Sequence, residues 1–499
     1  MVASTTRPLL HLVSTLLLLA TAPRSVVEAK TPSMSSSKIT STSVKDNSGS
    51  QGQAGSVGSG SYGSSVGDGE VGVKHILHFS DVHLNISDSL DAGESAKIPI
   101  RYGYDAPISL LTSALEYAQQ LLPNPDFFLY TGDHAVHGDP SDEYLAEATL
   151  NATAILGDTD VKSYMMNVTD PTTEENPTIE VVSPAWRDSL NASNLKDLNS
   201  RGYLSYKLDE KLFLLTLNTV PYSPKHTPDT SNETDPFDQF AWLNATLSGL
   251  RNGGKYAYIA GHIPPIIDAQ DGSPMWEASY IEEYKKIVTQ YADIIKAQIF
   301  GHTHSIEFRL PLTLDMESQD PDEVIAADDN AQSSQLVPLF TSAAISPLFY
   351  NNPAFTVWDF DASTYELLDF AVYGTNISSS ARNSSDLNWQ PLFKASSAFN
   401  VSSLSWSEMN RFVVSAATDS ALVQQYYYNS QAQSHQQTAC EDSVCLTWYL
   451  CSMMWWTTPE DYTACLASGS RLESSSAATT STWPALSILT FTLLSLWVY

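Results

Sequence analysis

Basic residues are scarce in this chain. Its 499 residues hold 25 Lys and Arg against 56 Asp and Glu, a formal charge of −31. Such a surface repels a phosphate backbone, so no nucleic acid polymer is expected as a partner. Cysteine is scarcer still: there are four, and none precedes Cys440. No histidine lies among Cys440, Cys445, Cys451 and Cys465, and their spacing fits no common structural zinc pattern. In an exported protein an even local cluster reads as two disulfides. Internal repeats are absent.

Both ends read as processing signals. Arg7 precedes a Leu-rich run from Leu9 to Ala22, and Val27-Glu28-Ala29 ends in a small residue suited to signal peptidase, so residues 1–29 are expected to be a signal peptide. Residues 30–72 are Ser/Gly-rich with few apolar side chains, the composition of a disordered linker. Residues 467–499 join small residues (Ser468-Gly469-Ser470) to a polar spacer and an apolar tail, Trp483 to Tyr499, with no basic residue after it. That is the pattern of a glycosylphosphatidylinositol attachment signal, which would tie the protein to a membrane; a tail-anchoring helix is the competing reading. Sequons at Asn85, Asn151, Asn167, Asn191, Asn232, Asn244, Asn376, Asn383 and Asn400 agree with export. A secreted or cell-surface location follows. An acidic, lysosome-like compartment is compatible, because carboxylate self-repulsion relaxes there.

Between the ends, strands and helices alternate. Lys74 to Ser80 reads as a buried strand, Pro107 to Leu122 as a helix with Ile108, Leu111, Leu115 and Ala118 on one face, and Asp126 to Tyr130 as the next strand. Tyr144 to Leu156 reads as a helix. Strands follow at Tyr203–Leu208, Leu212–Leu217, Lys255–Ala260 and Lys296–Phe300, with helices at Asp238–Leu250 and Tyr280–Tyr291. Val337 to Tyr373 returns to short strands. Leu387 to Cys465, with Trp389, Trp406, Trp448, Trp455 and Trp456, reads as a small helical cap. Alternation of this kind indicates an α/β core, whose chemistry gathers at the carboxyl ends of strands.

Four strand ends carry the informative residues: Asp81-Val82-His83, Gly132-Asp133, Gly261-His262 and Gly301-His302-Thr303-His304. Mixed carboxylates and imidazoles of this kind suit a pair of divalent cations, which need one carboxylate able to bridge them. Asp133 is the natural bridge. Asp81, His83 and His304 complete one site; His262, His302 and an oxygen ligand complete the other.

These motifs resemble the calcineurin-like metallophosphoesterases. Gly261-His262-Ile263-Pro264-Pro265, Gln298 to His304, Asp238-Gln239-Phe240-Ala241-Trp242-Leu243 and the Cys440 to Cys465 region are similar to acid sphingomyelinase and its phosphodiesterase-like relatives. The resemblance implies a four-layer α/β/β/α sandwich over residues 73–380. A small disulfide-bearing helical domain over 381–466 would follow, paired Cys440–Cys445 and Cys451–Cys465. It also implies two divalent ions, zinc in the family, and hydrolysis of a phosphodiester by metal-bound hydroxide. Candidate substrates are a sphingomyelin-like lipid, a nucleotide derivative or polyphosphate.

On that resemblance Asp158 takes the place of the family's metal-ligating asparagine, and Thr159 that of a histidine that helps protonate the leaving group. His137, four residues after Asp133, falls where the family places another active-site histidine and is the candidate general acid. The family's saposin module has no counterpart in the cysteine-free linker, and Tyr104 stands where the family has a cysteine. The changes at 158 and 159 motivate a competing reading: a cell-surface binding protein with a low-activity site. Tyr222, Trp276 and Tyr350 are candidates to line a substrate cleft.

Overall fold

The computed structural model describes residues 72–86, 99–138, 144, 176, 179, 190–314, 325–327, 335–377 and 386–476. The expected signal peptide, nearly all of the linker, the stretch after Tyr144 read as a helix, Asp158 with Thr159, and the tail beyond 476 lie outside the described residues.

Strand β1, Val73–Phe79, shows how the layers arise. Its two-residue period sends Leu77 and Phe79 to one face and Ile76 to the other. Helix α1, Ile108–Leu121, buries Leu110, Leu111, Ala114, Leu115 and Ala118 against the Leu77 face. Strand β2, Phe127–Tyr130, returns parallel to β1, completing a βαβ unit. After helix α2, Ala192–Arg201, strands β3, Leu204–Lys207, and β4, Leu212–Thr216, pair antiparallel around Asp209. The Asp209 carboxylate accepts from the backbone N–H of Lys211 and Leu212. Helix α3, Gln239–Asn252, strand β5, Tyr256–Ala260, helix α4, Ala278–Gln290, and strand β6, Ile295–Phe300, continue the alternation. They are followed by β7, Phe308–Arg309, β8, Leu339–Thr341, β9, Ala354–Asp361, β10, Leu367–Gly374, and β11, Gln390–Lys394.

The strands form a five-stranded sheet in the order β11-β10-β9-β1-β2 and a six-stranded sheet in the order β3-β4-β5-β6-β8-β7. Within the second, β4, β5, β6 and β8 run parallel. The sheets face one another through Phe127, Tyr258 and Phe360, and Tyr258 Oη donates to the Tyr365 carbonyl at 2.7 Å. α1 covers the outside of the first sheet. α3 and α4 join the second through Phe240, Leu243, Leu247, Tyr284 and Val288. This is the expected α/β/β/α sandwich.

Helices α5, Trp406–Thr418, α6, Ser420–Ser430, α7, Ser443–Ser452, and α8, Pro459–Ser476, form the C-terminal region. Its disulfides are Cys440–Cys445 and Cys451–Cys465. It docks beside the second sheet: Leu310 N–H donates to Met453 O at 2.9 Å, Trp455 N–H to Leu310 O at 2.7 Å, and Trp455 Nε1 to Pro265 O at 2.7 Å. The helical part starts later than its composition suggests. β11 pairs antiparallel with β10, and Trp389, expected in the cap, donates its Nε1 to Ser113 of α1 at 2.6 Å. An aromatic residue signals burial, not which neighbour it is buried against.

Candidate metal centre

Every informative loop begins at the carboxyl end of a parallel strand: Asp81 and His83 after β1, Asp133 after β2, His262 after β5, His302 and His304 after β6. The pairing continues past the strand ends. Asp81 N–H donates to Gly132 O, His83 N–H to Asp133 O, and Gly301 N–H to His262 O, at 3.0, 2.9 and 3.0 Å. Asp81, His83, Asp133, His302 and His304 all have positive φ, from 44° to 71°. Residues with a side chain adopt that left-handed conformation rarely, at a cost of about 1–2 kcal/mol, and such outliers collect at functional sites. Gly301 is required by close approach: a Cβ there would overlap Ser80 Oγ and lie 2.9 Å from Asp81 Oδ2.

Two sets of side chains meet on Asp133. Asp81, His83, Asp133 and His304 form one; Asp133, His262 and His302 form the other, with ligand atoms in each set within 4.8 Å of one another. His83 Nε2 lies 3.0 Å from Asp133 Oδ2, and His262 Nε2 lies 3.1 Å from Asp133 Oδ1. His304 Nε2 is 3.1 Å from His83 Nε2 and 3.4 Å from Asp81 Oδ1, while His302 Nδ1 is 3.2 Å from His262 Nε2. The structure thus brings these six candidates together. Asp158, expected beside His262 and His302, lies outside the described residues.

The surroundings point ring nitrogens inward. His83 Nδ1 is 3.1 Å from Ala135 O and His262 Nδ1 is 2.9 Å from Thr131 O, so each Nδ1–H donates outward to a carbonyl. Each ring then directs Nε2 at an Asp133 oxygen. Burial acts to lower His83, but the Asp133 carboxylate outweighs it and raises the ring above its ordinary value, so positive charge is favoured between the two. Two ring nitrogens thus flank the two oxygens of one buried carboxylate, an arrangement that fits cations between them. Burial pushes His302 down to about 3, with His262 adding to the shift. Burial, then His83 and His137, hold His304 well below the ordinary imidazole value. Both rings are thereby kept neutral and able to ligate. Burial raises Asp81, against the pull of His262. For Asp133 burial also acts upward, but His262 and His83 outweigh it and hold the carboxyl well below its usual range.

Asp81 is oriented from behind by a chain of hydrogen bonds that the motifs do not reveal. Trp358 Nε1 donates to His78 Nδ1 at 3.2 Å, leaving His78 Nε2–H to donate to Thr131 Oγ1 at 2.9 Å. Thr131 Oγ1 donates to Ser80 Oγ at 2.7 Å, and Ser80 Oγ to Asp81 Oδ2 at 2.5 Å. His302 N–H caps both Asp81 oxygens at 3.0 and 3.1 Å. Burial depresses His78 to about 3, so this relay runs through a neutral ring.

His137 stands at the open side. Its ring stacks on His83 with centroids 3.7 Å apart, and its Nδ1 is 2.7 Å from Asp105 Oδ1. Asp105 also accepts from the His137 backbone N–H at 3.0 Å, fixing ring and backbone together. No local pattern marks Asp105, which is 32 residues from its partner. Phe349, about half exposed, sets its edge against His304 and His137 at 4.7 and 5.6 Å. Tyr350 is also half exposed, with its ring beside Gly103. Tyr222 and Trp276, expected as cleft candidates, are fully buried: Tyr222 Oη accepts from Gln239 and Trp276 Nε1 donates to Ile263 O. They are packing residues. His134 stacks on Tyr130 and joins neither set.

The fold and this cluster define a metallophosphoesterase, a hydrolase class. The description "Calcineurin-like phosphoesterase" matches residues 74–305, and "Acid sphingomyelin phosphodiesterase C-terminal region" matches residues 330–471. The chain belongs to the acid sphingomyelinase-like phosphodiesterases of the calcineurin-like superfamily. It is 27% identical over 374 residues to sphingomyelinase phosphodiesterase C of Dictyostelium discoideum, covering 70% of this chain and 80% of that one. To acid sphingomyelinase-like phosphodiesterase 3b of Mus musculus it is 26% identical, covering 75% and 86%. To a cyclic GMP-AMP phosphodiesterase of Homo sapiens it is 24% identical, covering 76% and 84%.

Proposed function

We propose that this chain hydrolyses phosphodiesters at a two-cation centre held by Asp81, His83 and His304 on one side and His262, His302 and Asp158 on the other, with Asp133 shared. The observation that carries this reading is the convergence of His83 Nε2 and His262 Nε2 on the two oxygens of Asp133, with Asp81, His302 and His304 beside them, a geometry that calls for positive charge within it. Nitrogen and oxygen donors without thiolate suit Zn²⁺, and also Mn²⁺ or Fe. Bound there, two such ions would supply Lewis acidity at the phosphoryl group and a nucleophile from water at moderate pH.

The chain's own groups supply the rest. Ala135 O and Thr131 O hold His83 and His262 in the tautomer that presents Nε2. The Ser80–Thr131–His78 relay keeps Asp81 oriented. Asp105 holds His137 by its Nδ1–H, which leaves Nε2 to carry a proton to the departing alkoxide. Relatives' names point to two substrate classes, a sphingomyelin-type lipid and a cyclic dinucleotide. Polyphosphate is the third candidate.

Export to the extracellular space or an acidic compartment belongs to the same proposal, as do the signal peptide, the C-terminal lipid anchor and glycosylation. Of the sequon asparagines that are described, Asn191, Asn232, Asn244, Asn376 and Asn400 are exposed. Among the described residues no helix is long and apolar enough to cross a membrane. The deciding experiment assays purified protein on sphingomyelin, cyclic GMP-AMP, polyphosphate and bis(p-nitrophenyl) phosphate at acid and neutral pH, with and without chelator. Chelator-sensitive cleavage of a diester is the expected result; inactivity on all of them overturns the reading.

A further inference from the structure

The C-terminal region approaches the metal centre through residues next to Tyr350. Four consecutive residues, Phe349 to Asn352, are held by the turn that follows α6. Gln437 Nε2 donates to Phe349 O at 2.6 Å and to Asn351 Oδ1 at 2.9 Å. Ser434 Oγ donates to Tyr350 O at 2.6 Å, and Asn352 Nδ2 donates to Ala432 O at 3.0 Å. Asn351, itself buried, directs its Nδ2 onto His304 O at 2.5 Å. On the other flank of that histidine, Ile306 N–H donates to Ser430 O at 2.9 Å. Tyr350, Ala432 and Gln433 all have positive φ, 68°, 49° and 56°. Such conformations persist where the surroundings over-determine them.

The amides leave one assignment. Asn351 Oδ1 receives Gln437, so Asn351 Nδ2 is the group that faces His304 O. A carboxylate at position 437 has no N–H to give and would set its oxygens against Phe349 O and Asn351 Oδ1. Asn351 could then donate to it only by turning over, which would set its own oxygen against His304 O.

We propose that Gln437 is a positioning residue for the metal centre: through Asn351 it fixes the backbone of His304, so the C-terminal region sets how firmly that histidine holds its cation. The inference rests on His304 as a ligand. Its test compares full-length, zinc-loaded wild type with Gln437→Glu, Gln437→Met and Gln436→Glu. The last carries the same charge change on the exposed neighbouring residue. Zinc release to a chelator is followed beside hydrolysis of bis(p-nitrophenyl) phosphate.

Gln437→Glu is expected to release zinc about tenfold faster and to lose roughly tenfold in kcat with little change in KM, the usual scale for partners that orient a metal ligand. Gln437→Met should show a smaller loss of the same kind, and Gln436→Glu none. Combined with Asn351→Ala, Gln437→Glu should add nothing further, because both act along one path. Wild-type zinc release in both Gln437 variants, or full additivity with Asn351→Ala, overturns the proposal. Zinc release is read without a substrate, so a wild type that cleaves no diester would count against the proposed function and leave this comparison decisive.

Discussion

The carboxyl ends of β1, β2, β5 and β6 and the helices after residue 400 are both buried, yet they are built on opposite principles. At the strand ends five of the six described candidate ligands sit in left-handed backbone, and imidazole nitrogens crowd one buried carboxylate. In the C-terminal helices Phe412, Tyr426 and Tyr449 pack ring against ring, and two disulfides close short loops. One region spends free energy to hold a geometry, and the other supplies it. Substitutions should therefore separate: at the strand ends they should remove function at little cost in stability, and in the helices the reverse.

The sharpest break is Asp133→Asn. Halving the shared carboxylate's capacity to bridge should release at least one cation and cut kcat/KM by about a thousandfold or more, while the melting temperature holds; metal analysis with calorimetry checks it. Next comes His137→Ala, expected to lower kcat by roughly a hundredfold to a thousandfold with metal content unchanged. Asp105→Asn should reproduce part of that loss. Metal loss in either variant would place His137 among the ligands instead.

On the other side of the comparison, Cys451→Ser with Cys465→Ser opens a loop of 14 residues. Chain entropy puts the destabilisation at roughly 2–3 kcal/mol, read from denaturant midpoints, with kcat of the folded fraction preserved. A proportional loss of kcat would show that these helices are part of the reaction machinery beyond the Gln437 contact.

The smallest effect concerns His78, behind the site. Its folded pKa of about 3 lies below the unfolded value near 6.5, so the unfolded chain binds the extra proton between them. The stability contribution is complete above pH 6.5 and is lost as pH falls toward 3. At pH 5 the loss is about 2 kcal/mol. His78→Gln keeps one donor and one acceptor but does not titrate, so denaturant midpoints measured across that range should flatten. An unchanged slope would remove His78 from the acid response.

Much of the fold was legible because strand and helix periods are local. β1, α1, β5 and β6 begin and end within two residues of where apolar runs and turn residues put them. β11 escaped because Gln390–Lys394 has an exposed or half-buried edge pattern rather than a buried run. The candidate-site motifs could be singled out because each directly follows an apolar strand, where the backbone must turn. Asp105, His78 and Gln437 were not, because each acts on a partner 32 to 86 residues away and nothing in its own neighbourhood records that.

The chain's order of residues determined which groups could ligate and that each would stand at a strand end, since both follow from residue chemistry and short-range backbone preference. Only the stacking of two sheets decided that Asp81 would meet His302 and His304 across 221 and 223 positions, and that Tyr222 and Trp276 would serve packing instead of substrate. Contact across such separations depends on how whole layers align, a property that no segment carries alone.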